Sequence, residues 1–234
     1  MYKRILIKLS GEILQNKTKT KNNQINLILE EIANLKKNNY EIIIVLGAGN
    51  IWRYEDNKDK NIERTTSDYI GMLGTIMNAA VFNSLLKKHQ IKNKIYSPLH
   101  IPQLTNLYTQ RKVIRAIEQN NIIICAGGTG NPFFTTDSAA ALRALELNCD
   151  VIIKATKVDG VYDQDPLKNK NAKKYDQISF TEVIQKNIKV MDQTAFSLCK
   201  NGNIPIIVLN MTKKNAIINA LQGKKEGTFV GNIK

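Results

Sequence analysis

A three-layer α/β/α sandwich with a mainly parallel central sheet is the fold this sequence predicts, on three observations. Apolar runs of four to six residues alternate with longer amphipathic stretches, as in strands joined by crossover helices. The run over 42–46 is apolar throughout, which suits a strand covered on both faces. Glycines and small polar residues gather just after several of these runs, where open α/β sheets hold their ligands.

The first strand is expected over 3–9. Ile25, Ile28, Leu29, Ile32 and Leu35 fall at helical spacing within 24–38, and Asn38-Asn39 ends that helix before the strand at 42–46. A long helix is expected over 67–89, capped by Ser67 or Asp68, with Ile70, Leu73, Met77, Val81 and Leu85 buried. Strands follow at 94–97, 122–125, 151–155 and 206–209, with helices near 110–119, 138–147, 180–187, 192–201 and 213–221. Residues 53–64 mix four acids with four bases and read as a solvated loop or lid. No linker or internal repeat interrupts the order, so residues 1–234 read as a single domain, long enough to fold without a disulfide or metal staple.

Composition excludes several classes of function. The longest apolar run falls far short of the ~20 residues that span a bilayer, so no membrane role and a cytoplasmic location are expected. Cys125, Cys149 and Cys199 are odd in number and form no Cys-x-x-Cys pair, which suits reduced, buried thiols. His89 and His100 are too few and too far apart for a metal site or a Ser-His-Asp triad. The net charge of +14 invites a nucleic-acid reading, but it is scattered and comes from 28 Lys against 6 Arg. Dedicated readers of phosphates and bases lean on the rigid fork of Arg, so no dedicated nucleic-acid binding is expected.

The polar clusters converge on one crevice. Lys8-Leu9-Ser10-Gly11 follows the first strand, Gly47-Ala48-Gly49-Asn50 the second, Ala126-Gly127-Gly128-Thr129-Gly130-Asn131 the strand at 122–125, and Lys154-Ala155-Thr156-Lys157 the strand at 151–155. There is no Gly-x4-Gly-Lys-Ser/Thr, which excludes a P-loop, and neither Gly-x-Gly carries the third glycine of a dinucleotide fingerprint. Glycine loops beside a lysine nevertheless offer backbone N–H groups and a cation to phosphate. The most informative stretch is Gly128-Thr129-Gly130-Asn131-Pro132-Phe133-Phe134-Thr135-Thr136-Asp137. It places small residues, an amide, hydroxyls and two aromatics ahead of a helix N-terminus that favours anions, with Thr136 or Asp137 as the N-cap in the simplest reading.

Four segments together resemble the bacterial uridylate (UMP) kinases of the amino-acid-kinase fold family: Lys8-Leu9-Ser10-Gly11-Glu12, the 128–137 stretch with Ser138-Ala139-Ala140 after it, Lys154-Ala155-Thr156-Lys157-Val158-Asp159-Gly160-Val161-Tyr162, and Lys189-Val190-Met191-Asp192. The likeness runs along essentially the whole chain in the right order. It implies transfer of the ATP γ-phosphoryl to UMP with Mg2+, giving UDP and ADP, and a homohexamer. It also implies that Lys8 offsets the charge of the transferring group, with Asp137 and Asp192 orienting Lys8 or the magnesium unless they serve only as helix caps. The ATP side would comprise Lys8, Leu9, Ser10, Gly11, Gly49, Arg53, Thr156, Tyr162 and Asp165, with Asp159-Gly160 as a turn. The UMP side would comprise Ala48, Asp68, Thr129, Gly130, Asn131, Pro132, Phe133, Phe134, Thr135 and Thr136, with Asp68 on the ribose hydroxyls. Protein ligands of the metal are not assigned.

Two departures from the family pattern carry expectations. Ala48 stands where the family usually has glycine, so its methyl crowds the nucleotide or shifts the loop. Asn16-Lys17-Thr18-Lys19-Thr20-Lys21 replaces a glycine-rich segment that contributes to GTP activation in many relatives, so that control is not carried over. Two other readings stay open at this point: a kinase of the same fold acting on a small carboxylate or carbamate, and a nucleotide-sensing regulator or DNA-binding accessory protein.

Overall fold

The computed structural model describes residues 2–15, 19–164, 166, 168–188 and 190–233. Asp165, Lys189 and the 16–18 part of the glycine-replacing segment lie outside them. Among the described residues, nine strands form one sheet: β1 (Arg4–Leu9), β2 (Glu41–Leu46), β3 (Asn93–Ser97), β4 (Asn106–Leu107), β5 (Ile122–Cys125), β6 (Val151–Thr156), β7 (Gln177–Ser179), β8 (Ile206–Asn210) and β9 (Thr228–Gly231), in the spatial order β4-β3-β5-β2-β1-β6-β8-β9-β7. Every pairing is parallel except β8 with β9.

Among the described residues, seven α-helices cover the two faces: α1 (Lys19–Lys37), α2 (Arg64–Lys88), α3 (Gln110–Glu118), α4 (Thr136–Glu146), α5 (Phe180–Gln185), α6 (Gln193–Asn201) and α7 (Ala216–Leu221). Strand alternation decides which face each residue meets. In β1, Ile5, Ile7 and Leu9 join the core under α1, α2 and α7, while Leu6 joins the core under α3 to α6. Lys8 therefore continues on Leu6's side of the sheet. The same count in β6 puts Val151, Ile153 and Ala155 in the first core and Ile152 in the second, so Lys154 shares the side of Lys8. The expected sandwich is thus present. The two-residue β4 and the short β7 and β9 lack the apolar run that marks the others, and the pattern missed them.

Four expectations need correction. The long helix starts at Arg64 rather than 67, after Glu63, which makes no side-chain cap bond. Ser67 is buried and accepts a hydrogen bond from Trp52 Nε1 at 2.8 Å, so neither it nor Asp68 is the cap. The buried face of α2 is also the other one. Met72, Ile76, Ala79, Phe82 and Leu86 pack inward, while Leu73, Met77 and Val81 are 46%, 58% and 49% exposed. Spacing of i, i+4 identifies an apolar stripe but not which of two stripes docks, and here the stripe carrying Gly74, Thr75 and Ala79 approaches the sheet. Bearing two apolar stripes, α2 has the length and composition of a membrane-crossing helix, with a mean hydropathy of 1.3, although its inner stripe is in the core.

Residues 53–64 are mostly exposed, as a solvated stretch should be, but are not irregular throughout. Glu55–Lys60 forms 3₁₀ turns kinked at Asn57, and aromatic rings hold cations here, Trp52 under Lys60 at 5.2 Å and Tyr54 under Arg64 at 4.7 Å. Finally, the last expected helix begins at Ala216, after Asn215 takes a left-handed φ of 61°.

Candidate active site

The turns after β1, β2, β5 and β6 meet at the C-terminal edge of the sheet. Lys8 and Lys154 are direct register partners on adjacent parallel strands, and both reach Asp137, the second residue of α4. Lys8 Nζ lies 3.0 Å from Asp137 Oδ1, and Lys154 Nζ donates to Oδ2 at 2.6 Å. Burial pushes the Asp137 carboxyl upward, but the two ammonium groups outweigh it and hold that carboxyl below the usual range. For Lys154, burial dominates over the pairing with Asp137 and lowers the ammonium from its ordinary value, with Lys8 acting in the same direction. The result is a shielded cluster of two cations and one anion.

Asp137 is available to the lysines because it is not the cap of α4, nor is Thr136. Thr135 is: its hydroxyl accepts from the N–H groups of Asp137 and Ser138 at 3.0 and 3.2 Å. Asp192 has a different task from Asp137. It caps α6 through Ala195 N–H and accepts from the hydroxyls of Thr135 and Ser138, so it ties α6 to the start of α4 and makes no hydrogen bond to Lys8.

The turn after β5 takes a backbone path that glycine allows. Gly127, Gly128 and Gly130 have φ of 74°, 58° and 86°, which side chains rarely adopt. Gly127 N–H donates to the buried Thr75 hydroxyl at 2.7 Å, and the Thr129 hydroxyl bridges to Asn131. Phe133 and Phe134 project outward at 67% and 49% exposure, and Phe133 itself has a φ of 69°. Its N–H donates to Asp68 Oδ2 at 2.7 Å, while Arg64 Nε donates to both Asp68 oxygens. Asp68 thus sits against the 129–136 stretch, bridging α2 to it.

Ala48 packs its methyl against α2. It is buried, and a Cβ built on Gly74 would meet its methyl at 3.0 Å, so the missing side chain of α2 makes the room. Beside it, Asn78 is buried and donates to the Gly47 carbonyl at 2.7 Å and to Asn50 at 2.8 Å. Gly11 fits only as glycine, since an added Cβ would come within 2.4 Å of the Gly47 carbonyl. Ser10 caps the 3₁₀ turn Gly11–Leu14 that follows it.

The remaining predicted residues lie in the segments after β2 and β6. Arg53 donates to the Gly49 carbonyl and to Glu12, and Lys157 reaches the other Glu12 oxygen at 2.5 Å. Thr156 turns the chain through Val158. Tyr162 donates to Asp159 at 2.6 Å and lines a hollow of about 440 Å³ with Val158, Ile188 and Val190. A larger hollow of about 580 Å³, beside Tyr2, Ile207 and Phe229, contains none of these residues. Sequence reasoning assigned no role to Lys154, Thr75, Asn78 or Glu12. A signal existed for three of them: a lysine inside an apolar strand, and two polar residues three apart in an apolar helix.

Comparison with known proteins identifies the fold. The amino acid kinase family model matches residues 3–210. Among solved structures, a UMP kinase from Bacillus anthracis superposes with a TM-score of 0.93 at 33% identity, covering 100% of this chain and 97% of that one. A UMP kinase from Ureaplasma parvum gives 0.90 at 37% identity over 99% and 100%, and a uridylate kinase from Archaeoglobus fulgidus gives 0.76 at 25% identity over 99% and 100%.

Proposed function

The chain belongs to the amino acid kinase family, and we propose that it is a UMP kinase, transferring the γ-phosphoryl of ATP to UMP to give UDP and ADP. The observation that carries this reading is the convergence of Lys8 and Lys154 on Asp137, at a helix N-terminus that adjoins the 129–136 wall. Phosphoryl transfer asks for two anions brought together and for the charge on the migrating group to be offset, rather than for covalent chemistry. Two ammonium groups held by one carboxylate leave net positive charge where that offset is needed. Asp137 keeps both lysines in place.

In this reading Lys8 is the group that meets the transferring phosphoryl, with backbone N–H groups of Ser10 and Gly11 on the donor phosphates. Thr129, Gly130, Asn131, Thr135 and Thr136 enclose the UMP phosphate, Pro132, Phe133 and Phe134 border its base, and Asp68 receives the ribose hydroxyls, exchanging its bond from Phe133 N–H. Arg53 and Gly49 flank the donor phosphates, and the hollow beside Tyr162 receives the adenine, with Thr156 and Asp165 kept as further ATP-side residues. Asp192 acts indirectly, by fixing the start of α4.

Mg2+ enters as part of the MgATP substrate. Among the described residues there is no cluster of three His, Cys, Asp or Glu side chains that could cage a metal, and Mg2+ commonly takes phosphate oxygens and waters as most of its ligands. The reading also carries a cytoplasmic place in pyrimidine nucleotide synthesis and assembly as a homohexamer. The exposed stripe of Tyr69, Leu73, Met77 and Val81 on α2 supports self-association, since contiguous exposed apolar surface marks interaction faces.

A coupled assay supplying ATP with UMP, CMP, aspartate, acetylglutamate or carbamate in turn tests the proposal. Turnover with UMP well above the others is expected. Turnover with a small acid alone would place the chain elsewhere in its family, and silence with every acceptor beside tight UTP or DNA binding would make it a regulator.

A further inference from the structure

Arg143 sits two turns into α4, is only 4% exposed, and makes no contact with the Lys8 cluster. Its guanidinium lies 3.9 Å over the Tyr108 ring and donates through Nη1 to Glu146 at 2.6 Å. The Tyr108 hydroxyl donates to the same Glu146 oxygen, also at 2.6 Å. Stacked on one side and paired on another, the guanidinium has its orientation set, and a buried cation is costly unless such partners satisfy it. Its remaining arm leaves this cage: Nη2 donates to the Gly128 carbonyl at 3.2 Å.

That bond has a geometric consequence. The Gly128 carbonyl and the Thr129 N–H belong to one planar trans peptide, in which the C=O and N–H bonds point in opposite directions. Drawing the carbonyl in toward α4 turns the Thr129 N–H out, away from the protein interior. The Gly127 carbonyl accepts from Gly130 N–H at 3.1 Å and so holds the preceding peptide, with Gly127 N–H anchored on Thr75 before it, and this one cannot flip freely. Among the described residues no protein group accepts from the Thr129 N–H, whereas the neighbouring Gly130 and Asn131 N–H groups are taken by Gly127 and Thr129.

We infer that Arg143 is a positioning residue for the acceptor: it holds the Gly128–Thr129 peptide so that the Thr129 N–H is presented to the acceptor's phosphate. This rests on the reading of 129–136 as the acceptor wall. It assigns a functional reason to a buried arginine that touches no substrate.

The test is steady-state kinetics of Arg143→Lys and Arg143→Met with each substrate varied. Lysine keeps the charge but cannot stack, pair with Glu146 and reach Gly128 at once. Both variants should raise the KM for UMP roughly 10- to 100-fold, the range expected for losing a hydrogen bond to a charged group. The KM for ATP and kcat at saturating UMP should stay within about threefold, because the donor side and Lys8 are untouched. A UMP KM within twofold of wild type, or ATP and UMP KM values rising together, would overturn the inference. If neither variant folds, Glu146→Gln preserves volume and the Tyr108 stack while loosening the guanidinium. It should raise the UMP KM alone by a smaller factor, and no change there would equally overturn the assignment. Should wild-type enzyme use another acceptor in place of UMP, the same split is read with that acceptor, so loss of the UMP reading and loss of the Arg143 role give different results.

Discussion

The two walls of the crevice are built differently. Around the start of α4, groups are held by partners that water barely reaches: Asp137, Lys154 and Arg143 have side chains only 15%, 10% and 5% exposed. On the rim beside the turn after β1, Glu12 gathers Arg53 and Lys157 by ion pairs whose cations are 49% and 59% exposed. Buried charge pairs are expensive to break, whereas exposed ones are nearly free to exchange. The difference teaches that the wall at α4 is preorganised, while the Glu12 rim is held by contacts that an incoming polyanion can replace at little cost.

The largest effect should come from breaking the buried cluster. Asp137→Asn leaves two enclosed ammonium groups without their counterion and should destabilise the fold by about 3–5 kcal/mol, read by chemical denaturation at pH 7. The sign of the acid dependence follows from the lowered carboxyl of Asp137. Its folded pKa lies below its unfolded one, so its stabilisation is full above the ordinary carboxylate range and is lost as pH falls through the folded value. Wild type should therefore lose stability in acid more steeply than Asp137→Asn.

Next in size is Lys8→Met, expected to lower kcat by roughly 10²–10³ if Lys8 acts as a preorganised electrostatic group. Near-normal turnover in that variant would leave the cluster as scaffolding. A smaller effect is expected from Asp68→Asn, with the UMP KM rising roughly tenfold while the ATP KM holds, as for one lost charge-assisted hydrogen bond. An unchanged UMP KM would remove Asp68 from the acceptor wall. The smallest belongs to the rim. Glu12→Gln should change stability by less than about 1 kcal/mol, a difference that fades in high salt. A loss comparable to that of Asp137→Asn would erase the contrast between the walls.

Much of the crevice was legible before any coordinates, because its parts are local. A strand followed by Lys8-Leu9-Ser10-Gly11, or by the glycines at 127, 128 and 130, announces a ligand edge whatever packs behind it. The less legible parts involve distant partners. Lys154 looked like one residue of a motif until β6 paired with β1 and set it level with Lys8. Thr135 rather than Thr136 or Asp137 caps α4, a shift of one residue that frees the carboxylate for the lysines. On α2 the periodicity was real, yet the stripe of Leu73, Met77 and Val81 faces outward.

Strand and helix periods, turn residues and the identity of the site motifs were therefore set by the amino-acid sequence alone, since each depends on neighbours within a few positions. Tertiary structure alone decided which stripe of α2 docks, how Ala48 finds room against Gly74, and which cations share Asp137. Those outcomes depend on packing between segments far apart in the chain, where space and burial, not local propensity, select among arrangements that the linear pattern leaves equal.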